Sequence, residues 1–322
     1  MYILNNHFYL ICFGLISLTP LAICLGTVSQ KDTPIKQLWV SVEAAKGQKD
    51  STSRISALEK LVNAGVPLSN IPLKDANLSH AKLSSANLSS AYLVGVNLYR
   101  ANLNSANLKG ANLEGANLIG ANLEGANLEG AKLSSANLSS ANLKGANLKA
   151  ADLYRANLFS INLTGANLNA ADLSRAKLYR ANLSNADLVG AKLSRAVLED
   201  AKLFHAQLSR TTLFNADLTG ADLFSANLNA ADLSYANLKD AKLSITNLSS
   251  ANFSNANLSS TKFSSANLTS TNLTAAQHLT LHQIKTAKNW DKACYDPEFQ
   301  QQLDLSLKIT HNAEQDCSSD GY

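Results

Sequence analysis

The chain has 322 residues, of which 46% are hydrophobic but only 6% aromatic, with a single Met. A chain this poor in large side chains is not built from two ordinary globular cores. Its net charge of +4 is typical of neither a strongly basic nucleic-acid-binding protein nor an acidic mimic of nucleic acid. Leu, Ala, Asn and Ser recur at fixed intervals, which indicates a repeat protein.

Residues 1–30 differ from everything that follows. Positions 8–28 carry no charge and are long enough for a marginal transmembrane helix. The same stretch is typical of a secretory signal peptide, in which Ala22 and Cys24, or Cys24 and Gly26, supply the small residues of a cleavage site, although Lys and Arg are missing before it. We expect a cleaved signal peptide or a membrane anchor, the third possibility being neither. The first two predict that the mature chain is exported to the periplasm, a lumen or the cell exterior, or is membrane-anchored.

Residues 31–65 are predicted to form a helical N-terminal cap. Pro34 suits the first turn of a helix, and a second helical pattern ends at Gly65. Each helix has an apolar stripe at helical spacing, made of Ile35, Leu38, Trp39 and Val42 in the first and of Ile55, Leu58, Leu61 and Val62 in the second.

Residues 66–275 consist of five-residue units. Every fifth residue from Leu68 to Leu273 is Leu, except Phe253 and Phe263. The residue two places before each centre is Ala, from Ala76 onward, with the exceptions Val96, Ile161, Thr211, Thr246, Thr261 and Thr271. Between the two stands Asn, otherwise mostly Asp or Lys.

A period of five fits neither a helix nor a strand, because both would spread the Leu side chains over opposite surfaces. A chain that turns a corner every five residues sends each Leu, and the Ala before it, to one interior. Small Ala lets the backbone approach the axis, while Asn and Ser tolerate turns and bond locally. Glycines from Gly110 to Gly130 end successive units and are therefore read as corners rather than as a phosphate-binding loop.

These units resemble the pentapeptide-repeat family, whose pattern is A-[D/N]-L-x-x. The resemblance implies an all-β fold, a right-handed quadrilateral parallel β-helix with four units per coil and an inward-facing Ala and Leu. About ten coils at strand spacing would give a rod roughly 50 Å long. Val96 and Ile161 are large for the inward small site, so a slight bulge or a shift in register is conceivable there.

Residues 276–305 are predicted to form a helical C-terminal cap, which resembles the tails of cyanobacterial members, and 306–322 a polar flexible tail. Thr280 and Gln283 have the spacing of a capping box, and a second helix is expected to begin at Pro297. Cys294 and Cys317 are a possible disulfide; the alternative is two free thiols.

Catalytic and metal-binding patterns are weak. His278 and His282 have helical spacing but no third ligand nearby, so we expect surface residues and not a metal site. Asp152, Asp172 and similar carboxylates replace Asn on the surface. The interpretation is a protein that is not an enzyme and has no cofactor and no metal.

Arg and aromatic residues interrupt the repeats along two adjoining columns. With four units per coil, Arg155, Arg175 and Arg195 stack in three successive coils. The candidate partner-docking strip comprises Tyr99, Arg100, Tyr154, Arg155, Phe159, Arg175, Tyr179, Arg180 and Arg195, because Tyr and Arg are enriched at interface hot spots. The structural alternative is that Asp152 and Asp172 neutralise the arginines and that the aromatic rings stack to stiffen the rod.

The sequence therefore predicts a structural or interaction scaffold with an unknown protein partner and no nucleic acid. The alternative is a DNA mimic that binds a topoisomerase, as some family members do. It is disfavoured because residues 66–275 carry more basic than acidic groups.

Overall fold

The computed structural model of the chain describes residues 33–45 and 51–307. Within these ranges, α1 (Thr33–Ala44) and α2 (Thr52–Asn63) precede a long repeat region. After the repeats come α3 (Leu281–Lys285), a short 3₁₀ helix (Trp290–Lys292) and α4 (Pro297–Leu307). Helices thus flank the repeats at both ends.

Residues of the repeat pair with residues twenty positions later. Parallel bridges keep this spacing without a break from Pro72–Tyr92 to Asn257–Gln277. Four five-residue units therefore complete each coil, and every coil stacks in register on the next. The larger side chains of Val96 and Ile161 are buried without shifting this register.

Each pairing is a single bridge and not an extended strand. The reason is local, because every Leu carbonyl accepts a hydrogen bond from the N–H three residues later, as Leu173 does from Ala176 at 3.0 Å. This turn bends the chain before a second bridge can form. The sheets of the predicted β-helix are consequently ladders of isolated bridges, one per unit.

The unit Ala171 to Arg175 shows how the backbone donors are satisfied. The N–H of Ala171 donates to a carbonyl of the preceding turn. The N–H groups of Asp172, Leu173 and Arg175 donate to carbonyls of the neighbouring coils at 2.7–3.0 Å. The N–H of Ser174 donates to Oδ1 of Asp172 at 2.9 Å. The Asn or Asp before each Leu therefore completes the hydrogen bonding of its own turn, which explains its recurrence.

The last residue of each unit adopts a positive φ, between 50° and 66° from Asn70 to Ala275. Gly110, Gly115, Gly120, Gly125 and Gly130 all stand at this position, with φ of 62–65°. Glycine adopts this left-handed conformation without steric cost. The prediction that these glycines are corners is confirmed.

Ala and Leu of successive units form one continuous core along the axis. Phe253 and Phe263 replace Leu and are also buried. The inward Thr side chains are buried but satisfied, because each Oγ1 donates at 2.8–3.2 Å to the carbonyl of the Leu 23 residues earlier; these are Thr211, Thr246, Thr261 and Thr271.

The N-terminal helices cover the first coil. Leu58 and Leu61 of α2 are fully buried against the core, and Val42 of α1 is buried beside them. Arg54 is buried between the two helices, where Nε donates to the carbonyl of Val42 at 3.2 Å. Burial lowers the pKa of Arg54, and the charge of Glu43 acts in the opposite direction.

The C-terminal segment takes the place of a further coil. Lys288 and Cys294 continue the bridges of Asn267 and Asn272 at spacings of 21 and 22. The predicted capping box of Thr280 and Gln283 is present at α3. Nε2 of Gln283 also donates to carbonyls of the last coils, and Asp296 accepts from Ala275 N–H at 2.9 Å.

Across residues 33–45 and 51–307, no helix has the length and apolar character needed to cross a bilayer. The predicted signal or anchor segment, residues 1–30, lies outside the described residues.

Candidate docking surface

Arg155, Arg175 and Arg195 form a column, one residue per coil, which we call the arginine column. Each occupies the left-handed corner of its unit, with φ of 57°, 60° and 59°. Bridges join Asn157 to Lys177 and Lys177 to Val197, so the three arginines are in register. All three are exposed. The predicted alignment of these three residues in successive coils is confirmed.

The ion pairs on the rod join residues one coil apart. In residues 33–45 and 51–307 they are Lys109–Glu129, Lys144–Glu124, Arg180–Asp200 and Lys242–Asp222, at 3.1–3.7 Å. None of these pairs includes a member of the arginine column.

Asp152 and Asp172 do not neutralise the arginine column by direct pairing. Their Oδ1 atoms accept from the N–H groups of Tyr154 and Ser174 at 3.0 and 2.9 Å. Oδ2 of Asp152 accepts from Ser134 Oγ at 2.6 Å. Both carboxylates thus bond to their own turns, and Asp152 also bonds to the neighbouring coil; no ion pair within 4 Å links either to an arginine among the described residues.

The three Leu-Tyr-Arg triplets share one local geometry. In each, the guanidinium lies over the preceding Tyr ring, 5.1 Å from the centroid at Arg100, 5.2 Å at Arg155 and 4.8 Å at Arg180. This cation–π contact fixes a flexible side chain at a corner. Tyr99 and Arg100, however, stand three coils from Phe159, about 14 Å along the axis at strand spacing, and so lie apart from the other residues of the strip.

The remaining strip residues border one side of the rod. We call residues 155–160, 175–180 and 195–200 the arginine face, because these segments lie on the same side in three successive coils. Opposite the arginine column, Phe159 and Tyr179 stack at 5.6 Å and 20°, and Phe159 is 42% exposed. This stacking is the contact that the structural alternative expects for the aromatic residues. Lys177 lies exposed between the two edges.

In one whole coil, no unit has the Asn or Asp that accepts the turn N–H in most other units. We did not predict this feature from the sequence. Every Asn and Asp at that position from Asn77 to Asn272 accepts from the N–H two residues later. The five successive positions from 192 to 212 carry Lys192, Val197, Lys202, Gln207 and Thr212 instead. The signal was visible in the sequence, as five consecutive departures from the consensus.

This gap leaves backbone donors without protein acceptors in the described structure. They are the N–H groups of Ser194, Glu199, Phe204, Ser209 and Phe214. The same coil holds Arg195, and ring contacts beside it join His205 to Phe224 at 6.2 Å and Phe214 to Tyr235 at 5.6 Å. Arg195, the two ring contacts and the backbone N–H groups without acceptors therefore lie at about the same height along the rod axis.

The remaining sequence candidates lie away from this face. His278 and His282 are on the C-terminal cap, and the described part of the chain contains no cluster of three or more His, Cys, Asp or Glu residues suited to a metal ion. Cys294 is disulfide-bonded. Its predicted partner Cys317 lies outside the described residues, so that pairing stays a prediction.

Coils of four five-residue units, a core of stacked Ala and Leu, and turns completed by Asn define a tandem-repeat solenoid. The sequence profile of the Pentapeptide repeats family matches overlapping segments from residue 73 to residue 274. The chain belongs to this family. Among curated protein sequences, none matches the chain significantly.

Several solved structures are similar. HetL, a pentapeptide repeat protein of Nostoc sp. strain PCC 7120 involved in heterocyst differentiation regulation, is 36% identical, over 66% of this chain and 95% of HetL, with a TM-score of 0.39. Rfr23 of the cyanobacterium Cyanothece 51142 is 34% identical over 31% and 82%, with a TM-score of 0.24. Full-length QnrB1, a plasmid-mediated fluoroquinolone resistance protein, is 17% identical over 74% and 98%, with a TM-score of 0.30.

Proposed function

We propose that this pentapeptide-repeat protein is a non-catalytic scaffold that binds a protein partner on its arginine face. Its right-handed, four-sided β-solenoid would hold side chains at fixed spacing, and binding would need no rearrangement of the rod. A rigid surface of this kind loses little conformational entropy on association.

The arginine column carries the proposal. Four pairs of opposite charges join neighbouring coils in the described residues, and Arg155, Arg175 and Arg195 belong to none of them although they stack at one corner of three successive coils. Arg is also frequent at interface hot spots, where its planar group forms several hydrogen bonds. An exposed, rigidly spaced and unpaired set of arginines is suited to recognition.

The location of the protein is part of the proposal. The apolar segment at positions 8–28 supports export or anchoring, so the partner would be met outside the cytosol. N-terminal sequencing after cell fractionation tests this. A soluble cytosolic chain that retains Met1 would contradict both export and anchoring.

The DNA-mimic alternative receives little support. A mimic needs dense negative charge along the rod, whereas basic side chains dominate the arginine face. Supercoiling assays with purified gyrase test the alternative directly, and inhibition or protection of gyrase would favour it.

The docking role is tested with a triple variant in which Arg155, Arg175 and Arg195 become Gln. The matched control changes three exposed lysines of other sides, Lys149, Lys202 and Lys262, to Gln, which alters the net charge equally. Affinity capture from the native cell should retain the same partner with the wild type and the control but lose it with the arginine variant. Retention of every partner by the arginine variant would show that the face is not the docking surface.

A further inference from the structure

We infer that the arginine face binds an extended acidic segment of a polypeptide, with carboxylates of the segment paired to the arginine column. This inference rests on the proposed docking function and adds the chemical class of the partner. It follows from three features of the face.

The first feature is an uncompensated run of positive charge. Arg155, Arg175 and Arg195 stack with like charges one coil apart, a juxtaposition that destabilises a sheet surface. All three also hold the left-handed conformation that glycine adopts more readily. Within the described fold, the cation–π contact of Arg155 with Tyr154 does not remove the like-charge repulsion along the column, whereas a bound anion would offset it.

The second feature is the absence of acceptors beside the column. Lys177, Lys192 and Val197 stand where Asn or Asp would accept the N–H two residues later. The N–H groups of Tyr179, Ser194 and Glu199 consequently have no acceptor in the described structure. Guanidinium groups, the Lys177 ammonium and these free amides form a surface of donors, which complements the carboxylates and carbonyls of an extended peptide.

The third feature is the size of the charged area. The arginine column spans two coil spacings, about 10 Å, which equals roughly three residues of an extended chain. Asp152 and Asp172 border it on one side, and Glu199 and Asp200 lie at its end. A nucleic acid would place further phosphates against these carboxylates, whereas a short acidic segment need not extend beyond the arginines.

Fluorescence anisotropy with the full chain tests the inference. The probes are a labelled peptide of alternating Glu and Ser, its counterpart with Gln in place of Glu, and labelled oligothymidylate. We expect the Glu peptide to bind, the Gln peptide not to bind, and added salt to weaken the Glu complex. Changing Arg155, Arg175 and Arg195 to Gln should weaken it about tenfold or more, since each exposed ion pair contributes modestly.

The control with Lys149, Lys202 and Lys262 changed to Gln should bind the Glu peptide within about twofold of the wild type, since single surface charges away from a site contribute little. Equal losses in the control and the arginine variant, or no binding of the Glu peptide, would overturn the inference. Equal or tighter binding of oligothymidylate would assign the face to nucleic acid instead.

The two proposals fail separately. If cellular partners depend on the arginines but the Glu peptide does not bind, only the acidic partner chemistry is wrong. If the Glu peptide binds through the arginines while cellular partners ignore them, the proposed docking role is wrong.

Discussion

The carboxylate of Glu59 in α2 accepts a hydrogen bond from the backbone N–H of Lys82 at 2.7 Å. In the following coils, the equivalent N–H donates to an Ala carbonyl of the coil below, as Asn102 does to Ala81. Lys82 lies in the first coil, where α2 replaces that neighbour. A helix side chain thus satisfies a donor that the end of a stacked ladder would otherwise expose.

Replacing Glu59 should therefore destabilise the N-terminal end of the rod. We expect Glu59→Ala to lower the free energy of unfolding by about 0.5–1.5 kcal/mol, the usual net contribution of one hydrogen bond. Glu59→Gln keeps an acceptor oxygen and should lose less. Urea denaturation followed by circular dichroism measures both, and equal losses for the two variants would show that the bond contributes nothing.

Tyr295 should make the stability of the C-terminal cap depend on alkaline pH. Its Oη donates to the Trp290 carbonyl at 2.8 Å, and burial, followed by the charge of Asp291, raises its pKa far above the usual value. Because the folded state holds the proton more tightly, this contribution is complete below about pH 10 and decreases as the pH rises further.

The measurement compares the wild type with Tyr295→Phe. At neutral pH the variant should be less stable by about 1 kcal/mol, through the lost hydrogen bond. Above about pH 10 the difference should shrink, because the phenol of the unfolded wild type ionises and the variant has none. Denaturation at both pH values tests this, and a constant difference would refute it.

Ile245 is an unfavourable residue at its corner. It has a φ of 62° and is 54% exposed, so it gains little from packing while its branched side chain occupies a left-handed conformation. We expect Ile245→Gly to stabilise the protein by about 1 kcal/mol, the order of the left-handed penalty. The control is Ser244→Gly at the preceding position, where φ is not positive and Gly should destabilise. Loss of stability in Ile245→Gly would indicate that the side chain is held by contacts.

Asn at position 197 should restore a missing turn bond. Val197→Asn supplies an acceptor for the N–H of Glu199, as Asn157 does for Phe159 at 3.3 Å. We expect a gain of about 0.5–1 kcal/mol and slower exchange of the Glu199 amide hydrogen. Val197→Gln, whose amide lies one methylene further out, is the control and should show neither effect. Exchange measured by NMR distinguishes them.

The period of the repeat could be predicted in full, whereas the pairing of its surface charges could not. Leu at every fifth residue leaves one arrangement that buries all centres, so residue spacing alone placed Arg155, Arg175 and Arg195 in one column. The same spacing placed Asp152 and Asp172 nearby, but their distance from the arginines depends on side-chain rotamers. In the structure, these carboxylates bond to their own turns.

At the two ends of the rod, the sequence predicted the helices but not their contacts with the coils. The apolar stripe of α2 and the capping box at Thr280 are local patterns, and both are present. The bond from Lys82 to Glu59 and the bridge from Asn272 to Cys294 join segments related by no repeat spacing. No periodicity could reveal such contacts.

By itself, the sequence determined the family, the coil of twenty residues and the inward side chains, because a strict repeat forces the same local geometry on every unit. Only the tertiary structure decided which charges pair, which turn amides lack acceptors and how the first and last coils are closed. Those outcomes depend on distances of a few ångströms between coils and caps, and the order of residues does not specify them.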